Sequence, residues 1–566
     1  MKIFVTVLVA GILFVQGNDT HAQLSRDTVL KLDALFAGRP QDEPGGVLVI
    51  TRYGKPIYRK VFGAASMELG TPLSAESVFQ AASVSKQFTA AAVLLLVANG
   101  RLSLQDDIRK YIPELPDYGS VINIRHLLTH TSGLKDWRNV SYITSWPTGY
   151  KLYTQQYAIR TICRQKSLNY QPGERYSYTN AGYDLSGILV ERLTGQSFAD
   201  FVKDSLLLPA GMTQSTFERG FTNIVKNMAS GYRSADNGYE LTHILDETYG
   251  AAGLLTTAGD LAKWNQFIHN SETGKRIAAL RLQRYVLNNG DTISYANGGV
   301  NVYTVNGVRE ITHSGLLGGY RALVAYYPSA ALSVSYMSNN KDISTVELKK
   351  DIAAIFFGEE KKDDLWQVAA SNAGRIRSNK RSGTASINGA TPAGLDKKAG
   401  VYLNVEDESD MIKLHVHEGK LMSYAAILDP VSADVFKYEK NLYRFLPGGD
   451  SVVMNRAGED ARFYKVPSFT PAANELKPFT GIFYSADGDV TVNIQLVRNR
   501  LVLYRDAGDS VILAPVFQLN NQFVFRGFDH GLRATYFFTK EQNGAVRSFY
   551  VSLPRAARIP FTRKEQ

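Results

Sequence analysis

The sequence feature that most constrains the fold is an apolar run over residues 88–97, directly preceded by Ser83 and Lys86. The run contains no proline and is rich in alanine and leucine, which predicts a buried helix. Asn99 and Gly100 follow the run and supply a helix stop. Ser83 then lies in the first turn, where backbone N–H groups lack intrahelical partners, and Lys86 lies on the same helix face.

The spacing of Ser83 and Lys86 forms an S-x-x-K pattern, which is common in proteins. It recurs here at Ser132 with Lys135 and at Ser338 with Lys341, in stretches rich in glycine or asparagine that are typical of loops. Only the first copy opens an apolar helix. A hydroxyl, a neighbouring amine and free N–H groups are what acyl transfer requires of a serine enzyme. Ser83 is therefore the candidate nucleophile.

The N-terminus has the layout of a secretory signal peptide over residues 1–22. Lys2 precedes an apolar run over residues 3–15, and the small residue Ala22 stands before the expected cleavage point. The run is shorter than the roughly 20 apolar residues that cross a bilayer. We expect an exported protein, periplasmic or secreted, with no integral membrane segment after cleavage.

Composition narrows the range of cofactors and partners. The chain carries a formal net charge of +10, but its Lys and Arg residues are scattered rather than interleaved with aromatic residues, so no nucleic-acid partner is expected. Cys163 is the only cysteine, so no internal disulfide can form. His126 and His130 have the spacing of zinc ligands on a helix, but Leu127 stands where the metalloprotease pattern has glutamate. We predict no metal, no cofactor and a small-molecule or peptide substrate as the partner. The sequence does not determine the oligomeric state.

The length of 566 residues suggests roughly two to four domains. Over residues 23–360, helical patterns and β-hairpins mix without a regular βαβ rhythm, which favours an α/β domain with an antiparallel sheet flanked by helices. The clearest predicted elements are a hairpin over 46–59, a helix within 122–134 that stops at Gly133, a helix over 181–193, a helix capped by Thr257, strands over 320–328 and 332–338, and a closing helix over 348–357. Residues 361–394 shift to Ser, Asn, Gly, Ala and Arg and are interpreted as a linker.

The sequence pattern predicts two related all-β units in the C-terminal part, residues 395–467 and 470–566. Gly400-Val401-Tyr402 is repeated as Gly481-Ile482-Phe483, and the apolar pattern of residues 414–421 is repeated over 494–501. Apolar and polar residues alternate in these stretches, as in half-buried strands. We predict two antiparallel, barrel-like units, because closure of a sheet removes exposed edges.

Three short motifs whose side chains could take part in catalysis follow one another along the chain. They are Ser83-x-x-Lys86, Tyr178-x-Asn180 and His313-x-Gly315. Either Lys86 or Tyr178 could take the serine proton if neighbouring groups lower the relevant pKa, and the sequence leaves this choice open.

The remaining positions suggest binding roles. Asn180 can hold the Lys86 amine or a substrate amide, and Gly315 suits an edge strand that substrate approaches closely. The backbone N–H groups of Ser83 and Leu316 are the candidate oxyanion hole.

These ordered motifs resemble the serine β-lactamase and penicillin-binding-protein superfamily, in its class C β-lactamase and DD-peptidase branch. Residues 126–134, the Pro172-Gly173 pair and residues 253–258 strengthen the resemblance, which spans roughly residues 24–358. The resemblance implies the fold of that superfamily and an acyl-enzyme on Ser83.

One departure concerns His313, because many members carry lysine at this place. The resemblance implies that this lysine helps to bind a substrate carboxylate. Histidine here is similar to the D-aminopeptidase and esterase relatives, which can carry appended β-barrel domains.

The resulting hypothesis is an exported serine hydrolase that cleaves small amides or peptides, possibly containing D-amino acids, or esters. The alternatives are a β-lactamase proper and a non-catalytic receptor for cell-wall fragments or penicillin. The C-terminal units could shape the active-site entrance, mediate dimerisation or bind glycan, and the sequence does not choose among these roles.

Overall fold

The computed structural model describes residues 24–143, 152–358 and 394–564, apart from short gaps at 219, 221, 243–244, 406, 408–409, 424–425, 439–440, 457–458, 506–508 and 530–531. The predicted signal peptide lies outside the described residues, as does the predicted linker except for Gly394. Both stay predictions, as do the domain limits drawn from them. Within the described part of the chain, no helix is long and apolar enough to cross a membrane.

The first domain is built on an eight-stranded antiparallel sheet, here called the main sheet. From edge to edge its strands are Arg284–Val286, Thr292–Ala296, Val300–Val305, Val308–Leu317, Tyr320–Tyr327, Leu332–Ser338, Gly46–Arg52 and Lys55–Phe62. The predicted hairpin near the N-terminus is confirmed, and it completes a sheet whose other strands come from the end of the domain. Short paired strands elsewhere are Ala64–Ser66 with Thr71–Pro72, Phe79–Gln80 and Thr216–Phe217 with Leu254–Thr256, and Tyr232–Ala235 with Gly238–Leu241.

Both faces of the main sheet are covered because its strands carry apolar residues in both directions. In Gly46–Arg52, Val47 and Val49 enter one core, whereas Leu48 and Ile50 enter the core on the opposite face. Helices Arg26–Ala34 and Thr345–Phe357 cover the second core. The larger helical layer contains Ser85–Ala98, Ile124–Leu128, Trp137–Ile143, Gln155–Arg164, Ala181–Thr194, Phe198–Val202, Ala258–Asn270 and Glu272–Arg281, with shorter helical turns at Ala82–Val84, Ile108–Lys110, Lys203–Leu207 and Pro328–Ala330.

Most predicted elements of this domain are confirmed. The apolar run forms helix Ser85–Ala98, and Thr257 caps its helix by accepting a hydrogen bond from the N–H of Asp260. One helix is shorter than predicted: Ile124–Leu128 ends well before Gly133, because Thr129 leaves helical geometry. Strand Val308–Leu317 has a neighbour on both sides only as far as Thr312; beyond it the strand pairs on one side alone, so Gly315 lies at a locally free edge.

The first C-terminal unit is a curled antiparallel sheet of nine strands. It opens with helix Leu395–Lys398, and its strands in spatial order are Ala426–Ile427, Lys420–Ser423, Met411–His417, Gly400–Asn404, Glu459–Val466, Ser451–Arg456, Asn441–Phe445, Val435–Tyr438 and Asp429–Ser432. The two outer strands are separated by Leu428 alone, so the sheet must curl until its edges almost meet. It is barrel-like, as predicted, but its described strands do not close by hydrogen bonds.

The second C-terminal unit is a closed barrel, preceded by helical turn Ala473–Phe479. Its strands are Gly481–Ser485, Val490–Val497, Arg500–Arg505, Ser510–Leu519, Gln522–Asp529, Leu532–Lys540, Val546–Leu553 and Ala556–Arg563. The sequence repeat has a structural counterpart: Gly400 pairs with Leu414 in the first unit, and Gly481 pairs with Ile494 in the second.

The barrel packs directly on the first domain. Val140 and Ile143, from helix Trp137–Ile143, belong to the same apolar cluster as the barrel interior. Arg164 forms an ion pair with Asp489 of the barrel, with 2.6 Å between Nη1 and Oδ2. The last barrel turn, which contains Arg555, also contacts the first domain, because the Arg555 carbonyl accepts from the Asp136 N–H.

Candidate active site

Ser83 lies in the helical turn Ala82–Val84, immediately before helix Ser85–Ala98. The Lys86 ammonium group donates to Ser83 Oγ at 3.3 Å, to Asn180 Oδ1 at 3.0 Å and to the Ala251 carbonyl at 2.9 Å. The structure therefore brings together the first two motifs around the lysine nitrogen. The other S-x-x-K copies form no such pair: Lys135 donates to Ser167, and Ser338 donates to the Gly45 carbonyl.

The electrostatic surroundings of Lys86 favour its neutral form. The side chain is fully buried, and burial is the main cause that lowers its pKa below the ordinary 10.5 of lysine. The carboxylates of Asp184 and Asp136 oppose this shift, while the cations of Arg138 and Arg555 add to it. A lysine that gives up its proton readily can act as a general base near neutral pH.

Tyr178 is the other candidate for the general base, since the sequence did not choose between it and Lys86. Its ring centroid is 4.9 Å from Lys86 Nζ, and its hydroxyl interacts with the Ser83 side chain. Burial raises the pKa of the phenol far above its usual range, although Ser83 and Arg555 partly oppose the shift. Tyr178 therefore stays protonated at neutral pH and can donate a proton, which leaves Lys86 as the better base.

The side chain of Asn180 is oriented by Asp136, a residue that the sequence analysis missed. Asp136 Oδ2 accepts from the Asn180 backbone N–H at 2.8 Å and from its Nδ2 at 3.0 Å. Because the amide donors face this carboxylate, the amide oxygen faces Lys86. The sequence offered one indication of this role: Asp136 directly follows residues 126–134, the stretch that resembles the superfamily.

Asp184 is a second missed carboxylate, and it supports the remaining Lys86 contact. It accepts from Trp137 Nε1 at 2.6 Å and from the Ala251 N–H at 3.1 Å, so it holds the segment whose carbonyl accepts from Lys86. Burial raises the pKa of Asp184 above its usual range. Its spacing of four residues from Asn180 places both at one end of helix Ala181–Thr194, a signal the sequence carried.

His313 lines the site but is not a cation. Its Nδ1–H donates to the Ser314 carbonyl at 2.6 Å, and its Nε2 accepts from the Tyr295 hydroxyl at 3.1 Å. Both ring nitrogens are thus occupied in the neutral tautomer. Burial, reinforced by the Lys86 charge, lowers the pKa of His313 to about 3. This histidine cannot replace the charge that the resemblance assigns to lysine at the same place.

Gly315 allows the main sheet to approach the serine turn. An added Cβ would lie 2.3 Å from the Ala81 carbonyl oxygen, so the strand packs against the backbone just before the serine turn. The ladder between Val300–Val305 and Val308–Leu317 ends at the pair Asn301 and Thr312, which leaves the end of the latter strand without a partner on that side.

Because this end of the strand is unpaired on one side, the backbone N–H of Leu316 is available as the second candidate oxyanion donor. Leu317 pairs with Tyr320 across a two-residue turn, and antiparallel pairing alternates along the strand. The N–H of Leu316 therefore points to the free side, next to the serine turn. It can form an oxyanion hole with the N–H of Ser83.

A cavity of about 370 Å³ opens on these groups. It is lined by the predicted residues Ser83, Tyr178, Asn180, His313, Gly315 and Leu316, whereas Lys86 lies buried behind them. The structure thus brings every predicted site residue to one place. It also adds Arg138, Arg321 and Arg555 to the lining, which the sequence analysis did not identify.

The two histidines that raised a zinc hypothesis have other partners. His126 Nε2 pairs with the Tyr285 hydroxyl at 2.9 Å, and its Nδ1 accepts from the Asn123 N–H. His130 is fully buried, with its ring 4.2 Å from that of Tyr178 and its Nδ1 accepting from the Thr179 N–H. His130 therefore positions the Tyr178 motif. Over the described ranges, no cluster of residues suited to hold a metal ion is found.

The sheet and helix layers, with a serine, a buried lysine and a tyrosine in contact at their junction, define a serine hydrolase. The Beta-lactamase family model matches residues 32–355, which is more than half of the chain. The protein therefore belongs to the β-lactamase family, within the superfamily that includes the penicillin-binding proteins.

Named relatives agree with this assignment. Penicillin-binding protein 4* of Bacillus subtilis (strain 168) is 30% identical over 331 residues, which cover 56% of this chain and 72% of the relative. A D-aminopeptidase of Gluconobacter oxydans (strain 621H) is 27% identical over 347 residues, or 60% of this chain and 62% of the relative. The chain thus spans less than two thirds of the length of that enzyme.

One solved structure resembles the whole arrangement. The octameric penicillin-binding protein homologue from Pyrococcus abyssi superimposes with a TM-score of 0.52 at 20% identity, covering 94% of this chain and 100% of that one. The match extends beyond the family domain and therefore shows that the C-terminal β units are part of a shared fold.

Proposed function

We propose that the protein is an exported serine hydrolase that forms an acyl-enzyme on Ser83 and cleaves small amides, peptides or esters. The observation that carries this proposal is the 3.3 Å contact between Ser83 Oγ and the fully buried amine of Lys86. The name of one relative, a D-aminopeptidase, supports a substrate that contains D-amino acids, and the name of the other, a penicillin-binding protein, supports acylation of the serine. Export rests on the signal-like residues 1–22 alone.

The proposed reaction has two halves, acylation of Ser83 and hydrolysis of the resulting ester, and Lys86 moves the proton in both. Neutral Lys86 accepts the Ser83 proton as Oγ attacks the substrate carbonyl, and the N–H groups of Ser83 and Leu316 stabilise the oxyanion. Tyr178, kept protonated by burial, donates its proton to the departing nitrogen or oxygen and recovers one from Lys86. Water then attacks the ester carbonyl while Lys86 again accepts a proton; the bond between the acyl carbon and Oγ breaks, and Lys86 returns the proton to Ser83 Oγ, which releases the acid and restores the free enzyme.

The test is a comparison of the wild type with Ser83→Ala. The two proteins are incubated with a fluorophosphonate probe and with a panel of D-aminoacyl amides, D-Ala-D-Ala peptides, short-chain esters and a chromogenic cephalosporin. We expect intact-protein mass spectrometry to show one adduct on the wild type and none on the variant, with turnover lost in parallel. Equal hydrolysis by the variant would contradict the proposal, and cephalosporin turnover by the wild type would support the β-lactamase alternative.

A further inference from the structure

The charged side chains that line the active-site cavity, as far as the structure describes it, are arginines, whereas the carboxylates of Asp136 and Asp184 lie behind the lining. The described lining contains the arginines Arg138, Arg321 and Arg555 and no aspartate or glutamate. The charge of Arg138 is already paired, with Nη2 2.6 Å from Asp246 Oδ2. Arg321 is half-buried and donates through Nε to the Lys341 carbonyl. A negatively charged ligand therefore suits this cavity better than a cationic one.

Arg555 differs from Arg138, which is paired with Asp246, and from Arg321, which is half-buried and bonded to a backbone carbonyl. Its side chain is exposed, and no carboxylate in the described part of the chain forms an ion pair with it. The guanidinium carbon lies 4.9 Å from the centroid of the Tyr178 ring, so the group rests on the residue that contacts Ser83. A guanidinium presents several N–H donors in one plane and matches a carboxylate in geometry as well as charge.

The backbone of Arg555 is held in place by the first domain. Its carbonyl accepts from the Asp136 N–H at 2.9 Å and from Asn169 Nδ2 at 3.2 Å. Asn169 Oδ1 in turn accepts from the N–H of Ala557 at 2.9 Å. These bonds involve only the backbone of the barrel turn, so they anchor the arginine while leaving its guanidinium free to bind a ligand.

We propose that Arg555, supplied by the C-terminal barrel, binds a carboxylate of the substrate in the active site. It provides the cation that the neutral His313 does not. Because Arg555 rests on Tyr178, the proposed donor to the leaving group, the carboxylate belongs to the leaving portion of the substrate. This inference rests on the proposed function and narrows its substrate class to amides or peptides with a free carboxylate beyond the scissile bond.

The same argument makes free amines poor ligands. A D-aminoacyl amide carries a cationic amine, which would meet arginines and find no carboxylate in the described lining. The barrel therefore turns the site away from an aminopeptidase substrate and toward a peptide with an acidic end.

A binding experiment tests this without requiring turnover. Ser83→Ala protein is titrated by calorimetry with N-acetyl-D-Ala-D-Ala and with the same dipeptide as its C-terminal amide. We expect the free acid to bind about 10-fold to 100-fold more tightly than the amide, which is the range of a hydrogen-bonded charge. Adding Arg555→Ala should abolish this preference, and Arg555→Lys should restore part of it.

A matched control and a kinetic readout separate binding from a purely structural role. Arg547 lies exposed in the same hairpin and pairs with Glu541, so Arg547→Ala removes one positive charge away from the cavity and should leave the preference unchanged. In the catalytically intact protein, the ratio of kcat/KM for acid over amide should fall about 10-fold or more in Arg555→Ala. An unchanged preference in the Arg555 variants, or no preference in the parent, would overturn this inference, whereas the Ser83 probe experiment tests the hydrolase proposal separately.

Discussion

The carboxylate of Asp136 accepts two hydrogen bonds from Asn180, at 2.8 Å from the backbone N–H and at 3.0 Å from the side-chain amide. The N–H of Asp136 also donates to the carbonyl of Arg555 in the barrel. One residue therefore connects the amide that faces Lys86 with the barrel turn that reaches the cavity. The catalytic cluster and the C-terminal barrel are coupled through this aspartate.

Replacing Asp136 with asparagine should impair the site through Asn180. In the aspartate, Oδ2 accepts both bonds from Asn180 while Oδ1 accepts from the Arg138 N–H. Asparagine has one oxygen and one NH2 group in their place, so it cannot serve both sets of donors, and the Asn180 amide that holds Lys86 loses its fixed orientation. We expect kcat to fall about 10-fold to 100-fold, corresponding to roughly 1.5–3 kcal/mol for a hydrogen bond to a charged group. Loss of the negative charge should also lower the pKa of Lys86, so the rise of kcat/KM with pH should begin at lower pH. A variant with wild-type kinetics and pH profile would contradict this role.

The pH dependence of acylation should report the ionisation of Lys86. A general base works only when neutral, so the labelling rate should be low at acid pH and rise through a pKa below the ordinary 10.5 of lysine. Lys86→Arg should remove this rise because a guanidinium does not lose its proton in proteins. The measurement is the rate of probe labelling between pH 5 and pH 10. A rise that persists in Lys86→Arg would assign the base to another group.

His313 should make the fold less stable in acid. Its pKa is lowered from 6.5 to about 3 by burial, so the native state binds fewer protons than the unfolded chain below pH 6.5. Its stabilising effect is therefore complete above pH 6.5 and is lost as the pH falls, by up to about 1.4 kcal/mol per pH unit. His313→Gln should reduce this slope in urea unfolding at pH 7, 6 and 5.

The exposed His417 provides the control for that measurement. It lies on the nine-stranded sheet with its side chain 67% exposed, so His417→Gln should leave the slope as in the wild type. Identical slopes for the wild type and His313→Gln would show that the buried histidine does not contribute.

Gly315→Ala should disturb the oxyanion hole. The new Cβ would lie 2.3 Å from the Ala81 carbonyl oxygen, which must move together with the serine turn or with the strand that carries Leu316. Loss of one oxyanion donor costs about 100-fold to 1000-fold in kcat, and we expect a decrease toward that range. Gly259→Ala is the control, because its nearest contact would be 3.7 Å away within helix Ala258–Asn270. Comparable kcat values for the two variants would argue against the oxyanion role of Leu316.

The elements that could be predicted are those whose information is local. The helix after Ser83, the paired strands at 320–338 and the repeated hairpins follow from hydrophobic periodicity and turn residues, and the structure contains them. Where a local rule met a tertiary constraint, the prediction failed. Gly133 looked like a helix stop, but the chain leaves helical geometry already at Thr129.

The site was predicted in part for the same reason. Ser83, Lys86, Tyr178 and His313 could be found because each stands in a short motif with a recognisable order. Asp136 and Arg555 could not be found this way, because no pattern joins them to the motifs. Asp136 meets Asn180 across 44 positions, and Arg555 arrives from the end of the barrel.

The sequence by itself determined the nucleophile helix, the order of the motifs and the division into an α/β domain followed by repeated β units, because periodicity and spacing are properties of neighbouring residues. Only the tertiary structure decided the charges of the site and the origin of its last cation. Burial lowers the pKa values of Lys86 and His313, and burial exists only after distant segments have packed. The same packing places Arg555 beside Tyr178, a contact that depends on the docking of the barrel rather than on any local pattern.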